Sequence, residues 1–153
     1  GKKCYAASQR CADAVGSAAH TYVVMLGTND AWHRSGEPER VPEGILALLE
    51  LLRPAAAGAR GAEEAGSLVE RWPPILLVLP PGAVPGRLAA NLRDVVHPGL
   101  RRLASEEGLE LVEPALGAEA YQQDRVHLSL RGAAQVAQGV HEALARSKRK
   151  RLG

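Results

Sequence analysis

The chain has 153 residues and 46% of them are apolar, which suffices for the core of one globular domain. Its formal net charge is +2, yet five of the nineteen basic residues lie between Arg146 and Arg151, so the rest of the chain is slightly acidic. No apolar run approaches the roughly 20 residues of a membrane-spanning helix, and we expect no membrane span. Cys4 and Cys11 fit neither a disulfide framework nor a metal-binding pattern. We expect one domain over residues 1–145 and a basic tail over residues 146–153.

The first third of the chain is predicted to alternate between helix and strand. Residues 4–19 are rich in Ala and other good helix formers. Residues 21–26 form an apolar, β-branched run that Gly27 ends, as in a strand buried on both faces of a parallel sheet. A helix is expected from Pro42 to Pro54, because apolar residues recur on one of its faces. These apolar residues are Ile45, Leu48, Leu49 and Leu52.

The middle of the chain is predicted to hold an insertion followed by a second strand. Residues 54–73 are rich in Ala and Gly and have weak periodicity, which is typical of a surface segment with one short helix near residues 63–70. Residues 75–79 are again continuously apolar and predict a second buried strand. A shorter third strand is expected at residues 109–112.

Helices are predicted on either side of the third strand. Residues 88–107 are expected to be helical with a break at Pro98, which has no N–H to continue the hydrogen-bond ladder. Ser129 is expected to cap a last helix that runs to about Arg146. Alternating helices and strands require parallel strands with helices on both faces, so the fold class is a doubly wound α/β layout. In such sheets the ligand site lies beyond the carboxyl ends of the strands.

Two polar motifs fall at that edge of the predicted sheet. Gly27-Thr28-Asn29-Asp30 follows the first strand, and Asp124-Arg125-Val126-His127 precedes the last helix. Taken separately, the first motif suits a turn and the second suits a helix cap. Taken together, in this order and 95 residues apart from Asn29 to Asp124, they give the sequence a resemblance to the SGNH/GDSL hydrolases. That family carries Gly-x-Asn-Asp after a buried strand and Asp-x-x-His before its final helix.

The resemblance implies a flavodoxin-like, three-layer α/β/α domain that hydrolyses carboxylic esters through a Ser-His-Asp mechanism. His127 would be the general base, Asp124 would orient its imidazole, and Asn29 would donate to the oxyanion. Gly27 and Asp30 would support the loop that carries Asn29. No metal or organic cofactor is implied. The expected partner is a small-molecule ester, such as a lipid, an acetylated sugar or a simple ester.

The family's nucleophile lies in a Gly-Asp-Ser block, and this sequence has no such block. Ser8 and Ser17 lie upstream of Asn29, but neither follows Gly-Asp. We therefore expect the chain to correspond to the carboxyl-terminal two-thirds of the family's domain, without its N-terminal strands. Such a chain would be inactive alone, and we favour a fragment over an evolved pseudoenzyme.

Two alternatives use the same residues differently. The chain could be a non-catalytic ligand- or carbohydrate-binding relative that keeps the cleft without the chemistry. It could also be an interaction protein that uses its basic tail, residues 146–153, to bind polyanions in a salt-sensitive manner. Binding to nucleic acid is not favoured, because no aromatic residues interleave with the basic ones.

Overall fold

The computed structural model describes residues 9–17, 19, 21–32, 37–58, 75–82 and 86–152. Three short strands form a parallel sheet in the order β1 (Tyr22–Val24), β2 (Ile75–Val78) and β3 (Glu110–Val112). Each strand is shorter by one to three residues than the apolar run that predicted it. The parallel pairing and the strand order confirm the predicted α/β class.

Six helices surround the sheet in the described part of the chain. They are α1 (Gln9–Gly16), α2 (Thr28–Trp32), α3 (Val41–Gly58), α4 (Arg87–Asn91), α5 (His97–Glu106) and α6 (Leu130–Leu152). Short 3-10 turns lie at Pro38–Arg40 and Ala118–Ala120. No described helix is both long and apolar enough to cross a membrane.

The strand β2 is the centre of the structure, because helices cover it on both faces. Its residues alternate between two apolar clusters: Ile75 and Leu77 face the larger one, while Leu76 and Val78 face the smaller one. All four are at most 6% exposed. The larger cluster includes apolar residues of α3, α4 and α5, and the smaller one is formed with α6. Strand β2 is apolar at every position because both of its faces are buried.

The strand β1 is covered less completely. Among the described residues it pairs only with β2, and Val23 is 48% exposed although its neighbours Tyr22 and Val24 are buried. Val23 pairs in register with Leu76, so it points to the face that α6 covers farther along the sheet. The expectation that further strands belong beside β1 stays a prediction.

The helix α3 continues past Pro54, which the sequence had predicted to be its end. Pro54 removes one backbone N–H from the ladder, but its fixed φ is compatible with helix geometry. The turns before it are held by buried Leu48, Leu49 and Leu52. The helix ends at Gly58, so the first residues of the predicted insertion are helical. Residues 59–73 and the short helix expected near 63–70 lie outside the described residues.

The helix does not break at Pro98, as the sequence had predicted. One widened turn precedes the proline instead. Residues 87–106 stay helical, and Leu92–Val96 form a π segment in which the His97 N–H bonds to the Leu92 carbonyl. The wider turn shifts the backbone hydrogen-bond pattern by one residue just before Pro98. Pro98 therefore lies near the start of α5, where a missing backbone N–H is tolerated.

The last helix is longer than predicted. Ser129 caps α6, since its hydroxyl oxygen accepts the Gly132 N–H at 3.1 Å. The helix runs to Leu152 and includes most of the predicted tail. Arg146, where the helix was expected to end, forms an ion pair with Glu110 at the start of β3.

Candidate active site

The Asp124 carboxylate and the His127 imidazole form a hydrogen-bonded pair. His127 Nδ1 lies 2.6 Å from Asp124 Oδ2. The other carboxylate oxygen, Oδ1, accepts the backbone N–H groups of Val126 at 2.9 Å and His127 at 3.0 Å. The carboxylate is thus fixed by three bonds within one turn of chain, and it fixes the imidazole in turn.

A small hairpin presents this pair. Tyr121 and Leu128 form an antiparallel bridge, and the Gln122 N–H donates to the His127 carbonyl at 2.8 Å. The tip is a turn in which the Arg125 N–H donates to the Gln122 carbonyl at 2.9 Å. Arg125 has φ of 57°, a left-handed conformation that side-chain-bearing residues adopt at some cost. This turn brings the side chains of Asp124 and His127, which are three residues apart, within hydrogen-bonding distance.

Hydrogen bonding lowers the pKa of Asp124 to about 2. The largest cause is the bond from the His127 side chain, followed by the backbone N–H groups of His127 and Val126. All three stabilise the ionised form of the carboxylate, because each donates a hydrogen bond to it. Asp124 is therefore an acceptor-only group at any pH near neutrality, as a residue that orients an imidazole must be.

The imidazole of His127 is open to solvent. Its side chain is 74% exposed, and Nδ1 is the nitrogen that bonds to Asp124. Among the described residues, no serine hydroxyl bonds to this imidazole. The hydroxyl of Ser129, two residues away, donates to the Glu119 carbonyl at 3.1 Å and serves the helix cap. Nε2 is thus available to a group from outside the described residues.

The loop after β1 places Asn29 in the first turn of α2. Gly27 has φ of 115°, where L residues are strained, and a Cβ at this position would lie 2.9 Å from Val41 Cγ1. This glycine lets the chain turn from strand to helix at once, and its carbonyl accepts the Ala31 N–H at 3.0 Å. Asn29 and Asp30 are both exposed at the carboxyl end of β1.

Two loops at the same edge of the sheet are linked to each other. Thr28 Oγ1, beside Asn29, donates to the Pro81 carbonyl after β2 at 3.2 Å. Burial raises the pKa of the Tyr121 phenol at the base of the hairpin, and the backbone N–H of Gly82, in the loop after β2, opposes that shift. The Asn29 loop and the loop after β2 are therefore held to each other at Pro81.

The sequence had not predicted the residues that join these loops. Thr28 occupies the variable position of the Gly-x-Asn-Asp motif, and its partner Pro81 lies far away in the chain. Asn91 supports α2 in the same way, since its side-chain N–H donates to the Ala31 carbonyl at 2.9 Å. The side chain of Asp30, expected to anchor the loop, has no hydrogen bond to a described residue, and its role stays a prediction.

The described residues offer no group of three His, Cys, Asp or Glu side chains that could hold a metal ion. What the edge does offer is an oriented imidazole, an exposed side-chain amide and an exposed indole, since Trp32 of α2 is 48% exposed. Such groups can accept a proton, donate to an oxygen and contact an apolar group of a ligand.

No family model and no curated protein matches this chain. Two solved structures share its fold. One is a carbohydrate acetylesterase from Sinorhizobium meliloti, with TM-score 0.60 and 20% identity over 82% of this chain and 60% of that one. The other is a protein from Agrobacterium tumefaciens assigned provisionally as an arylesterase, with TM-score 0.59 and 25% identity over 86% of this chain and 62% of that one.

This chain thus spans about three-fifths of the length of either neighbour. The likeness confirms the α/β/α architecture that the sequence predicted. Both neighbours are described as esterases.

Proposed function

We propose that this chain carries the general base and the oxyanion donor of an ester hydrolase with a Ser-His-Asp mechanism. The observation that carries the proposal is the 2.6 Å bond between His127 Nδ1 and Asp124 Oδ2. That bond leaves Nε2 as the nitrogen that can accept a proton, and it fixes the imidazole in one orientation. Asn29, exposed at the carboxyl end of β1 on the loop that Thr28 joins to Pro81, would be the oxyanion donor.

The acylation step moves one proton and exchanges one bond. Nε2 of His127 accepts the hydroxyl proton of the nucleophilic serine as the serine oxygen bonds to the ester carbonyl carbon. The Asn29 amide donates to the carbonyl oxygen, on which negative charge develops. The intermediate then collapses: the ester C–O bond breaks, and the imidazolium gives its proton to the departing alcohol.

Deacylation repeats these steps with water in place of the serine. His127 accepts a proton from water, the hydroxide adds to the acyl carbon, and the carboxylic acid leaves as the serine recovers its proton. Throughout, the Asp124 carboxylate stabilises the imidazolium without being protonated, as its pKa of about 2 requires. The serine belongs outside the described residues.

The substrate class rests on the two structural neighbours. Their names refer to acetylated carbohydrates and to aryl esters, which are both small esters with a polar or aromatic alcohol. We propose a small-molecule ester for this chain as well, and aryl acetates are the first substrates to test.

Hydrolysis of p-nitrophenyl acetate tests the proposal when it is measured for this chain and for the longest polypeptide that its gene encodes. In the active form, His127→Ala should lower kcat by several orders of magnitude, because the base acts together with the nucleophile. His141→Ala is the matched control, since His141 is exposed on α6 and has no part in the site. Equal losses in both variants, or turnover that His127→Ala leaves intact, would contradict the proposal.

A non-catalytic ligand-binding relative is the second candidate. It is favoured by the observation that no described serine hydroxyl bonds to His127. This candidate predicts that the longest polypeptide binds an acetylated sugar or aryl ester without hydrolysing it, so calorimetry run beside the turnover assay separates the two functions.

A further inference from the structure

An exposed indole lies on the same helix as the proposed oxyanion donor. Five large apolar side chains are exposed in the described part of the chain, and Trp32 is the only aromatic one among them. Single exposed apolar residues are common on protein surfaces and need no special explanation. Trp32 differs from the other four because it lies on α2, the short helix that also carries Asn29.

Asn29 and Trp32 lie next to each other on the solvent side of α2. Residues three apart in an α-helix are neighbours, with Cβ atoms about 5–6 Å apart. The opposite side of the helix is buried, since Ala31 is 0% exposed and belongs to the larger apolar cluster. Asn29 and Trp32 are both exposed. A ligand group bonded to the Asn29 amide would therefore have the indole as its neighbour.

Hydrogen bonds hold α2 in place on both sides of Asn29. Thr28 Oγ1 donates to the Pro81 carbonyl at 3.2 Å, and the Asn91 side-chain N–H donates to the Ala31 carbonyl at 2.9 Å. The indole is thus attached to a fixed piece of backbone, directly after the residue that Asn91 holds. An aromatic side chain on a fixed helix loses little conformational entropy when a ligand covers it.

We propose that Trp32 selects esters of aromatic alcohols, by stacking its indole on the aryl ring of the substrate. This inference rests on the proposed function, in which Asn29 donates to the carbonyl oxygen. In an aryl acetate the ring is attached directly to the ester oxygen, so it lies close to the carbonyl group on the alcohol side. An indole and an aryl ring attract each other through apolar contact and through the quadrupoles of their π systems. A short alkyl alcohol offers a smaller apolar surface and no quadrupole.

The kinetic test compares phenyl acetate with ethyl acetate in the longest polypeptide that the gene encodes. For Trp32→Ala we expect KM for phenyl acetate to rise by about 3- to 10-fold with kcat nearly unchanged, because stacking is present in both the ground state and the transition state. KM for ethyl acetate should change by less than about twofold, since this ester has no ring to stack. Trp32→Phe keeps an aromatic face and should retain most of the preference for phenyl acetate.

Leu51→Ala is the matched control for the loss of an exposed apolar side chain. Leu51 is 44% exposed on α3. It lies about 15 Å along that helix from Val41, whose side chain is close to Gly27. This variant should leave KM for both esters unchanged. Equal rises for both esters in Trp32→Ala, or a rise for neither, would overturn the inference and leave the proposed function intact if turnover still depends on His127.

Binding without turnover is measured with acetanilide, the amide counterpart of phenyl acetate, and with N-ethylacetamide as its alkyl counterpart. In proton–nitrogen NMR spectra, the indole N–H resonance of Trp32 is identified by its loss in Trp32→Phe. We expect this resonance to shift when acetanilide is added, and to shift less with N-ethylacetamide at the same concentration. An indole resonance that does not respond to acetanilide would overturn the inference. A response in a polypeptide without turnover would support the aryl site and contradict only the catalytic proposal.

Discussion

Asp124 is the residue whose environment is most completely determined. One of its oxygens faces the imidazole of His127, and the other accepts two backbone N–H groups from its own turn. Because each of these bonds stabilises the carboxylate, the folded pKa lies at about 2, below the ordinary value of 3.8. The depressed pKa makes the contribution of Asp124 to folding stability present above the unfolded pKa and lost as pH falls toward 2.

The first prediction at this scale concerns the pKa of Asp124 itself. Replacing His127 with Ala removes the largest cause of the shift, so the pKa should rise toward 3.8, while the two backbone bonds keep it below that value. Carbon NMR of the carboxyl groups measures it.

Asp94 supplies the internal control in the same spectra. Its pKa is also lowered, but by the Arg93 side chain, which His127→Ala does not touch. An Asp124 pKa that stays near 2 in the variant would show that the imidazole does not hold the carboxylate.

At the scale of elements, the turn from β1 into α2 depends on a single glycine. Gly27 adopts φ of 115°, and its missing Cβ leaves room for the Val41 side chain at the start of α3. The same turn presents Asn29 at the sheet edge. The positive φ of Gly27 and its close approach to Val41 therefore lie two residues before Asn29, the proposed oxyanion donor.

Gly27→Ala should consequently destabilise the fold. We expect the free energy of unfolding to fall by about 1–3 kcal/mol, the usual cost of holding a side-chain-bearing residue in a sparsely populated conformation. Urea denaturation measures it. Gly16→Ala at the end of α1 is the control, because a methyl there meets nothing within 4 Å. A Gly27→Ala variant as stable as the control would show that the turn tolerates a side chain.

The elements that were predictable from sequence are those that one local property determines. Strand β2 follows from its apolar run. The Asp124–His127 pair was expected from the resemblance of Asp-x-x-His to a family motif, and its bonds all lie within one turn of chain. Helix ends were less predictable. Pro54 lies inside α3, and Pro98 follows a π segment, because core packing and a widened turn offset the local effect of a proline.

Contacts between distant residues were not predictable at all. The bond of Thr28 to Pro81 and the bond of Asn91 to Ala31 depend on how whole elements pack. Thr28 occupies the variable position of its motif, and Pro81, Asn91 and Ala31 belong to no motif. These bonds nevertheless fix the loop and the short helix that carry Asn29.

At the scale of the molecule, a parallel sheet brings the ends of its strands to one edge, and the chain places its chemistry there. The Asn29 loop follows β1 and is bonded to the loop after β2, and the His127 hairpin comes after β3. The opposite end holds the Arg146–Glu110 ion pair and the basic end of α6. The chain thus shares its architecture with two structures described as esterases and carries, at that edge, the side chains that we propose for acyl transfer.

Asn29 and His127 are proposed to belong to one catalytic site, and kcat of Asn29→Ala tests this central claim most directly. It should be measured with p-nitrophenyl acetate in the longest polypeptide that the gene encodes. We predict a fall in kcat of about 10²- to 10³-fold with little change in KM, because the amide acts on charge that develops only in the transition state. An Asn29→Ala variant with unchanged kcat in an enzyme that depends on His127 would contradict the claim, and so would a longest polypeptide without turnover.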